Sequence, residues 1–286
     1  MHISIDAEVG RNILRAAEKL KKEDIIIRKG STLLPGAMGL AASAGINRIS
    51  VCRRPNVAVI GVGDEVVVPG KSLRPGQIYA SNLITLKAWL NSFGIQCVTS
   101  LAKDNTASIK LELERHLPEA DVILTSGGAW GSERDLVIRT LDALEWQKKF
   151  HHVRMGPGKG IAFGLWKDKS VFCLPGGPAS NEMAFLQLAL PGILHMSGDC
   201  RHPLPLVSAK LVEDLKSRHK EWTEFRDAVL VKNSGGAYTV GAYRKRSRLQ
   251  AIAGANSLIC IPEGAESLRA GEIIAVQVLS PQWGSA

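Results

Sequence analysis

The sequence has few cysteines and no pair of them at metal-ligand or redox spacing. Five cysteines lie singly along 286 residues, at Cys52, Cys97, Cys173, Cys200 and Cys260. An odd, dispersed set without a C-x-x-C pair argues against a disulfide framework or a zinc finger, and it predicts reduced thiols in the cytoplasm. The adjacent His151 and His152 predict no metal site either, because neighbours on a strand point to opposite faces.

Long apolar runs are also absent. Charged residues interrupt every stretch that approaches the roughly 18 to 20 apolar residues of a membrane-spanning helix. The first 14 residues include Asp6, Glu8 and Arg11, which departs from the basic-then-apolar order of a secretory signal. With 45% hydrophobic residues the chain has enough apolar material for a sizeable core. These features predict a globular cytoplasmic protein with no membrane partner.

Positive charge is abundant and unevenly distributed. The formal net charge is +9, and residues 201–248 hold eleven Lys or Arg against five Asp or Glu. Such a surplus favours anionic partners, among them phosphorylated small molecules, nucleic acid and acidic protein surfaces. The basic run Arg244-Lys245-Arg246 has one aromatic neighbour, Tyr243, and no set of stacking residues. The sequence therefore disfavours nucleic acid as the partner.

Three regions differ in pattern along the chain. Residues 1–54 predict a short N-terminal α+β segment. Residues 55–200 alternate apolar strands with amphipathic helices, which indicates a three-layer α/β domain with a mainly parallel sheet. Residues 201–286 contain short strands between polar turns and predict a small β-barrel domain at the C-terminus.

The hydrophobic pattern also predicts individual elements. In the N-terminal segment we expect helices over 12–22 and 35–44 and a strand over 25–27. In the α/β domain we expect a helix over 81–93 with Ile84, Ala88 and Leu90 facing inward. The other predicted elements are strands over 57–60, 97–101, 121–125 and 170–174, helices over 107–117 and 179–195, and C-terminal strands over 228–231, 238–241, 257–261 and 273–278.

Polar and Gly-rich loops follow the predicted parallel strands, where ligands bind in open α/β sheets. Gly63-Asp64-Glu65 follows the first strand, and its two carboxylates either help to hold magnesium near phosphates or form a solvated acidic turn. The third glycine of a dinucleotide fingerprint is absent, since Val66 stands in its place. Asp104 follows the second strand, and Asn105 or Thr106 next to it suits the cap of the following helix.

Glycines dominate the later loops. Ser126-Gly127-Gly128 follows the third strand, and it either binds a phosphate or carboxylate through exposed N–H groups or is a plain Gly-rich turn. The segment Gly156-Pro157-Gly158-Lys159-Gly160 lacks the Ser or Thr of a P-loop, yet Lys159 still offers a point charge to an oxyanion. In Pro175-Gly176-Gly177-Pro178 the prolines fix a turn and the glycines leave space at the edge of the sheet. Together the loops predict an anion site.

Read in order, these stretches resemble the molybdopterin molybdenumtransferases, the family of bacterial MoeA and the gephyrin E domain. The matching stretches are GVGDEVVVPGKSLRPGQIYASN, LAKDN, DVILTSGG, PGKGIAFG and LPGGPAS, with LPGAMGLAASAGINRISVCRRPNVAV before them and SLICIPEGAESLRAGEIIAV near the end. The resemblance covers nearly the whole chain. It implies a fold of the molybdopterin-binding type, and the chain would be a short form without most of the family's N-terminal region.

The resemblance also implies a reaction, in which homodimers insert molybdate into adenylylated molybdopterin and release AMP, aided by Mg²⁺. Asp104, Asp135 and Lys159 match catalytic positions, and Glu65, Asp104 and Asp135 match metal positions. The implied substrate-binding residues are Gly63, Asp64, Ser126, Gly127, Gly128, Pro175, Gly176, Pro178 and Ser247.

Two departures from the family support an alternative function. The first is the expected absence of the family's N-terminal β-rich domain, and the second is that His152 and Gly156 stand where the family carries Lys or Arg before the PGK motif. Weaker oxyanion binding would suit a non-catalytic molybdopterin-binding protein, or one that delivers the cofactor to a molybdoenzyme or to other cofactor-biosynthesis proteins. Release of AMP on adding molybdate distinguishes this alternative from the enzyme.

Overall fold

The computed structural model describes residues 9–11, 13–15, 18–127, 135–199 and 203–280. The chain divides into two compact units, Met1–Cys52 and Arg53–Ala286. The predicted boundaries at residues 54 and 200 stay predictions.

The first unit contains one helix in the part of it that is described. Helix α1 (Pro35–Ser43) starts at a proline, whose fixed φ suits the first turn, and Gly45 follows it with a left-handed φ of 79°. The predicted helix over 12–22 and strand over 25–27 are wrong, because their described residues have no regular structure. Ile25 is 68% exposed, so its apolar side chain is not in a core. A strand needs a partner to share its hydrogen bonds, and apolar character alone does not supply one.

The second unit contains two six-stranded sheets and most of the helices. Its strands are β1 (Val57–Val62), β2 (Val66–Val67), β3 (Ile78–Tyr79), β4 (Cys97–Ala102), β5 (Val122–Ser126), β6 (Gln147–His151), β7 (Met155–Gly156), β8 (Ala162–Trp166), β9 (Lys169–Leu174), β10 (Leu206–Leu211), β11 (Leu215–Lys216), β12 (Thr223–Lys232), β13 (Tyr238–Ala242), β14 (Ser257–Ile261), β15 (Ser267–Leu268) and β16 (Ile273–Val278). Its helices are α2 (Ser81–Ser92), α3 (Thr106–His116), α4 (Leu136–Ala143), α5 (Pro178–Ala184), α6 (Leu190–Met196) and α7 (Arg248–Gly254), with a π-helical segment (Phe185–Ala189) joining α5 to α6.

The first sheet has the strand order β4-β1-β5-β9-β8-β6. The pairs β1–β4, β1–β5 and β5–β9 are parallel, whereas β8 runs antiparallel to both β9 and β6. Four parallel strands therefore end at one edge of the sheet, which we call the carboxyl edge. Their last residues are Val62, Ala102, Ser126 and Leu174.

Both faces of this sheet are covered, which explains the continuous apolar runs of its strands. Val57 and Val59 of β1 pack in the cluster that contains residues of α2, α5 and α6. Ala58 and Ile60 point the other way, into the cluster with residues of α3 and α4. The predicted three-layer α/β fold is thus confirmed.

Helix α2 buries a stripe that shares Leu90 with the predicted one and differs from it at the other positions. Leu83 and Leu86 are buried with Leu90, whereas Ile84 is 55% exposed and Ala88 is also exposed. Two adjacent stripes of this helix are apolar, and each has helical spacing. Periodicity therefore could not choose between them.

The second sheet has the order β13-β10-β16-β14-β12-β7, and an additional β12–β13 pairing closes five of its strands into a small barrel. Its core includes Ala209, Leu230, Ile259 and Val276. Strand β7 belongs to the segment between β6 and β8 of the first sheet, yet it pairs in parallel with β12. None of the described helices is long and apolar enough to cross a bilayer.

Candidate functional site

The loop after β1 places two carboxylates at the carboxyl edge. Gly63 has a φ of 153°, and a Cβ added to it would lie 2.6 Å from Glu65 Oε2, so the Glu65 side chain folds back over the glycine. Asp64 lies between them, and its Oδ1 accepts a hydrogen bond of 3.2 Å from the amide of Asp104. This contact joins the loop after β1 to the loop after β4.

Asp104 has a shifted pKa, as expected for a carboxyl group close to other carboxylates. Burial raises the pKa of the Asp104 carboxyl above its usual value, and the charges of Glu65 and Asp64 raise it further. A divalent cation among these groups would relieve their mutual repulsion. The neighbouring Asn105 has a structural role, since its side chain accepts a hydrogen bond of 2.9 Å from the Ser108 amide and caps α3.

Gly127 follows β5 at a point where two strand ends approach closely. Its φ is 105°, and a Cβ added to it would lie 2.5 Å from the carbonyl oxygen of Val62. Its amide donates a hydrogen bond of 3.1 Å to the carbonyl of Leu174, at the end of β9. Both the conformation and the space therefore require glycine here. The predicted ligand Gly128 lies outside the described residues.

Two asparagines that were not among the predicted site residues converge on Ser126. The amide nitrogen of Asn82 donates to Ser126 Oγ (3.1 Å) and to the carbonyl of Gly176 (2.8 Å). The buried Asn181 donates in the same way to Ser126 Oγ (3.0 Å) and to the carbonyl of Pro175 (2.8 Å). Because only the NH₂ end of an amide donates, the carbonyl partners fix both orientations. Ser126 Oγ accepts from both amides, which leaves its own hydrogen to be donated.

The proline loop after β9 lies next to the glycine loop after β5. A Cβ added to Gly176 would lie 3.5 Å from the Cα of Gly127. Pro178 occupies the first turn of α5, where its missing N–H has no intrahelical partner to lose. Pro175 and Gly176 supply the carbonyls that hold the two asparagines. This loop is thus part of the carboxyl edge, as predicted.

The PGK segment forms a small pocket with the proline loop. The pocket has a volume of about 170 Å³, and Lys159 carries the charge among its described lining. The lining residues are Met155, Gly156, Pro157, Gly158, Lys159, Gly160, Pro175, Ser180 and Trp222. The Lys159 ammonium lies 5.3 Å from the centre of the Trp222 ring. Trp222, which comes from the turn before β12, was not among the predicted site residues.

Asp135 lies in a different setting from Asp104. It directly precedes α4, it is 5% exposed, and its Oδ2 lies 3.9 Å from His151 Nε2. Burial lowers the pKa of His151, and the neighbouring His152 lowers it as well, while Asp135 acts in the opposite direction. The rings of His151 and His152 stack with centroids 4.0 Å apart. The expectation that they point apart is wrong, because His152 leaves β6 with a left-handed φ of 68°.

The predicted metal-binding carboxylates therefore lie in two separate places: Glu65 and Asp104 are together, and Asp135 lies beside His151. The charge of Glu65 acts on Asp104, whereas that of Asp135 acts on His151 and Cys173. Within the described ranges, no group of three or more His, Cys, Asp or Glu side chains is arranged to hold a metal ion by itself.

Ser247 has a structural role that the prediction did not include. Its side chain accepts a hydrogen bond of 3.1 Å from the Gln250 amide, and Gln250 Oε1 accepts one from the Ser247 amide. This capping box starts helix α7. Capping accounts for the serine here without a ligand.

Fold and site together define a class of protein. A three-layer α/β domain with its polar loops at the carboxyl edge of a parallel sheet is a ligand-binding architecture. Residues 58–195 match the family described as a probable molybdopterin binding domain. Residues 208–279 match the MoeA C-terminal region, domain IV.

Named relatives agree with these matches. The chain is 31% identical over 271 residues to molybdopterin molybdenumtransferase 2 of Mycobacterium tuberculosis, covering 93% of this chain and 66% of the relative. It is 27% identical over 266 residues to molybdopterin molybdenumtransferase of Staphylococcus epidermidis, covering 93% and 64%. A crystal structure of a molybdopterin biosynthesis MoeA protein from Pyrococcus horikoshii superposes with a TM-score of 0.74 at 31% identity, covering 91% of this chain and 63% of the other.

This chain belongs to the molybdopterin molybdenumtransferase family. It spans about two thirds of the length of the relatives it matches, or slightly less.

Proposed function

We propose that this protein acts in molybdenum cofactor biosynthesis by inserting molybdate into adenylylated molybdopterin, with release of AMP. The observation that carries the proposal is the cluster of Asp64, Glu65 and Asp104 at the carboxyl edge, where burial and like charge raise the pKa of Asp104. Carboxylates that repel one another in the free protein indicate a site that is completed by a positively charged ligand.

The described residues form two groups with different proposed roles, one at each end of the carboxyl edge. At the β1 and β4 end, Asp64 and Glu65 lie with Asp104 and suit the metal-bound phosphates of the substrate. Ser126 has a hydroxyl hydrogen to donate, because both asparagines donate to its oxygen. At the other end Lys159 supplies the charge for an oxyanion, which is the state of molybdate as a substrate.

Magnesium fits the donor set at the first end. Mg²⁺ keeps several waters and binds through one or two carboxylates together with substrate phosphates, so a protein site with three ligands is not required. Glu65 and Asp104 would hold the ion there, and the ion would neutralise charge that develops on the phosphate oxygens. Asp135, beside the His151 ring, would act on the substrate rather than on the same ion.

The assembly and compartment of the protein follow from the same proposal. We expect a homodimer in the cytoplasm, as the family resemblance implies. The four described cysteines, Cys52, Cys97, Cys173 and Cys260, are free thiols, and this state suits a reducing compartment. Sedimentation velocity would detect the dimer, and a monomer at micromolar concentration would contradict it.

The test is release of AMP from adenylylated molybdopterin on addition of molybdate and magnesium. We expect turnover by the wild type and a loss of about 100-fold or more in Asp135→Asn, because a buried carboxylate at the site is neutralised. Asp168→Asn is the matched control. Asp168 is exposed, precedes β9 at the opposite edge, and has a φ of 63° that asparagine tolerates. Folded wild-type protein without turnover would overturn the proposal.

One observation favours a non-catalytic molybdopterin-binding or cofactor-delivery protein as the second candidate. Lys159 is the one charged residue in the described lining of the PGK pocket, and Gly156 contributes no side chain there. Such a pocket suits weak binding of an oxyanion. This candidate predicts molybdopterin binding that survives Asp104→Asn and Asp135→Asn, without release of AMP by any variant.

A further inference from the structure

Trp222 reaches the PGK pocket through a pairing between the two sheets. Strand β7 pairs in parallel with the start of β12, with Met155 opposite Thr223. The Thr223 amide also donates a hydrogen bond of 3.0 Å to the carbonyl of Arg154. This ladder brings the residue before β12, Trp222, alongside the segment that begins the pocket.

The turn that carries Trp222 is held by a buried carboxylate. Glu224 accepts hydrogen bonds from the amides of Arg218 and His219 and from the side chain of Arg226. Burial by itself would raise the pKa of Glu224, but these bonds outweigh burial and lower the pKa. The Trp222 amide donates to the His219 carbonyl (3.0 Å), and the two rings lie 4.9 Å apart. These hydrogen bonds therefore fix the conformation of the turn that carries the indole ring.

The Trp222 ring lies next to two residues of the pocket. One is Gly156, which stands where the family carries a basic residue, and the other is Lys159. A Cβ added to Gly156 would lie 3.6 Å from Trp222 Cε3, so the ring occupies the space beside that glycine. The Lys159 ammonium lies 5.3 Å from the ring centre, within the range of a cation–π contact. The ring thus faces one side of the ammonium, and the N–H groups that point away from it remain for an anion.

We propose that Trp222 is a positioning residue, which holds the Lys159 ammonium in place for a small oxyanion. The pocket of about 170 Å³ is smaller than the roughly 300–1,000 Å³ of pockets that enclose drug-sized ligands. It suits a single tetrahedral oxyanion and not a pterin nucleotide. The inference rests on the proposed function, from which it takes molybdate as that oxyanion. Its new element is Trp222, the residue that positions the Lys159 side chain.

The first measurement reads the position of Lys159 without any ligand. Protons of the lysine ε-methylene that lie over an indole face shift upfield in NMR spectra, and Lys159→Met identifies their signal by removing it. We expect an upfield signal in the wild type that returns to the ordinary position in Trp222→Leu. An ordinary shift in the wild type would overturn the inference.

The second measurement is a double-mutant cycle on molybdate binding, read by calorimetry without turnover. We expect Trp222→Leu to weaken binding about two- to fivefold, the range for an exposed cation–π contact. In the Lys159→Met background the same change should have no further effect, since Trp222 acts through the lysine. Trp222→Phe keeps an aromatic face and should retain most of the affinity.

Tyr238→Leu is the matched control, because Tyr238 makes a cation–π contact with Lys232 in the same barrel and does not line the pocket. It should leave molybdate binding unchanged. Equal binding by Trp222→Leu and wild type, or equal losses with and without Lys159, would overturn the inference. If molybdate binds in this way but no AMP is released, the proposed enzymatic function fails and the role of Trp222 stands.

Discussion

Two aspartates at opposite edges of the first sheet differ in how their surroundings shift the pKa of the carboxyl group. Asp121, which precedes β5, accepts hydrogen bonds of 2.5 and 2.6 Å from the Arg53 guanidinium and one of 2.8 Å from the Asn56 amide. The bond from Arg53 is the main cause that lowers the pKa of Asp121 to about 2. Asp104, which follows β4, has a raised pKa because of its burial and its acidic neighbours.

The difference separates a part of the sheet that stabilises the fold from the part that we propose binds a ligand. The negative charge of Asp121 is paired with the Arg53 guanidinium. Its hydrogen bonds to Arg53 and Asn56 hold the start of β1 beside β5. Among the residues that the structure describes, no Lys or Arg forms an ion pair with the carboxylates around Asp104. Their mutual repulsion costs free energy in the absence of a cation. Substitutions at the two edges should therefore have opposite effects on stability.

The largest effect on folding is expected from Gly127→Ala, which should lower the free energy of unfolding by about 3 kcal/mol. The new Cβ would be 2.5 Å from the Val62 carbonyl oxygen, and its φ of 105° is unfavourable as well. Urea denaturation measures the change. Gly264→Ala is the control, because Gly264 has a similar φ of 90° but nothing within 4 Å of an added Cβ. It should cost about 1 kcal/mol, and equal losses would show that the close approach is unimportant.

Asp121→Asn should lower the free energy of unfolding at neutral pH by about 1 kcal/mol, a value reduced for the exposure of Arg53 to solvent. Since the folded pKa lies below the ordinary one, the stability is present at neutral pH and is lost as the pH falls from about 4 towards about 2. Denaturation across this range should therefore show a steeper loss in the wild type than in the variant. Parallel curves would contradict the assignment.

The smallest effect, and the one of opposite sign, is expected from Asp104→Asn. A raised pKa means that the fold disfavours the charged carboxylate, so stability falls as the pH rises through the ordinary range for Asp. Without magnesium at neutral pH, the variant should melt about 1–2 °C higher than the wild type. Saturating magnesium should raise the melting temperature of the wild type and not that of the variant. A lower melting temperature in Asp104→Asn would contradict the account of the carboxylate cluster.

Much of the α/β fold was predictable because its strands are buried on both faces. The apolar runs located β1, β5 and β9, and the C-terminal predictions over 257–261 and 273–278 coincide with β14 and β16. The failures have a common cause, since Ile25 and Ile84 are apolar residues that the fold leaves exposed. Which apolar residues find a partner depends on tertiary packing, and local pattern does not encode it.

The candidate site was predictable where a loop directly follows a parallel strand. Glu65, Asp104 and Gly127 were placed at the carboxyl edge in this way, since the ends of parallel strands meet at one edge. Asn181 and Trp222 were missed because their contacts with Ser126 and Lys159 join residues far apart in the sequence. No spacing rule predicts such contacts.

We propose that the carboxylates of the carboxyl edge bind the metal and the substrate. The decisive measurement is release of AMP from adenylylated molybdopterin, in the presence of molybdate and magnesium, by Asp104→Asn and by the control variant Glu119→Gln. Glu119 is an exposed carboxylate near the amino end of β5. We expect a loss of about 100-fold or more in Asp104→Asn and wild-type turnover in Glu119→Gln. Equal turnover by the wild type and Asp104→Asn would contradict it.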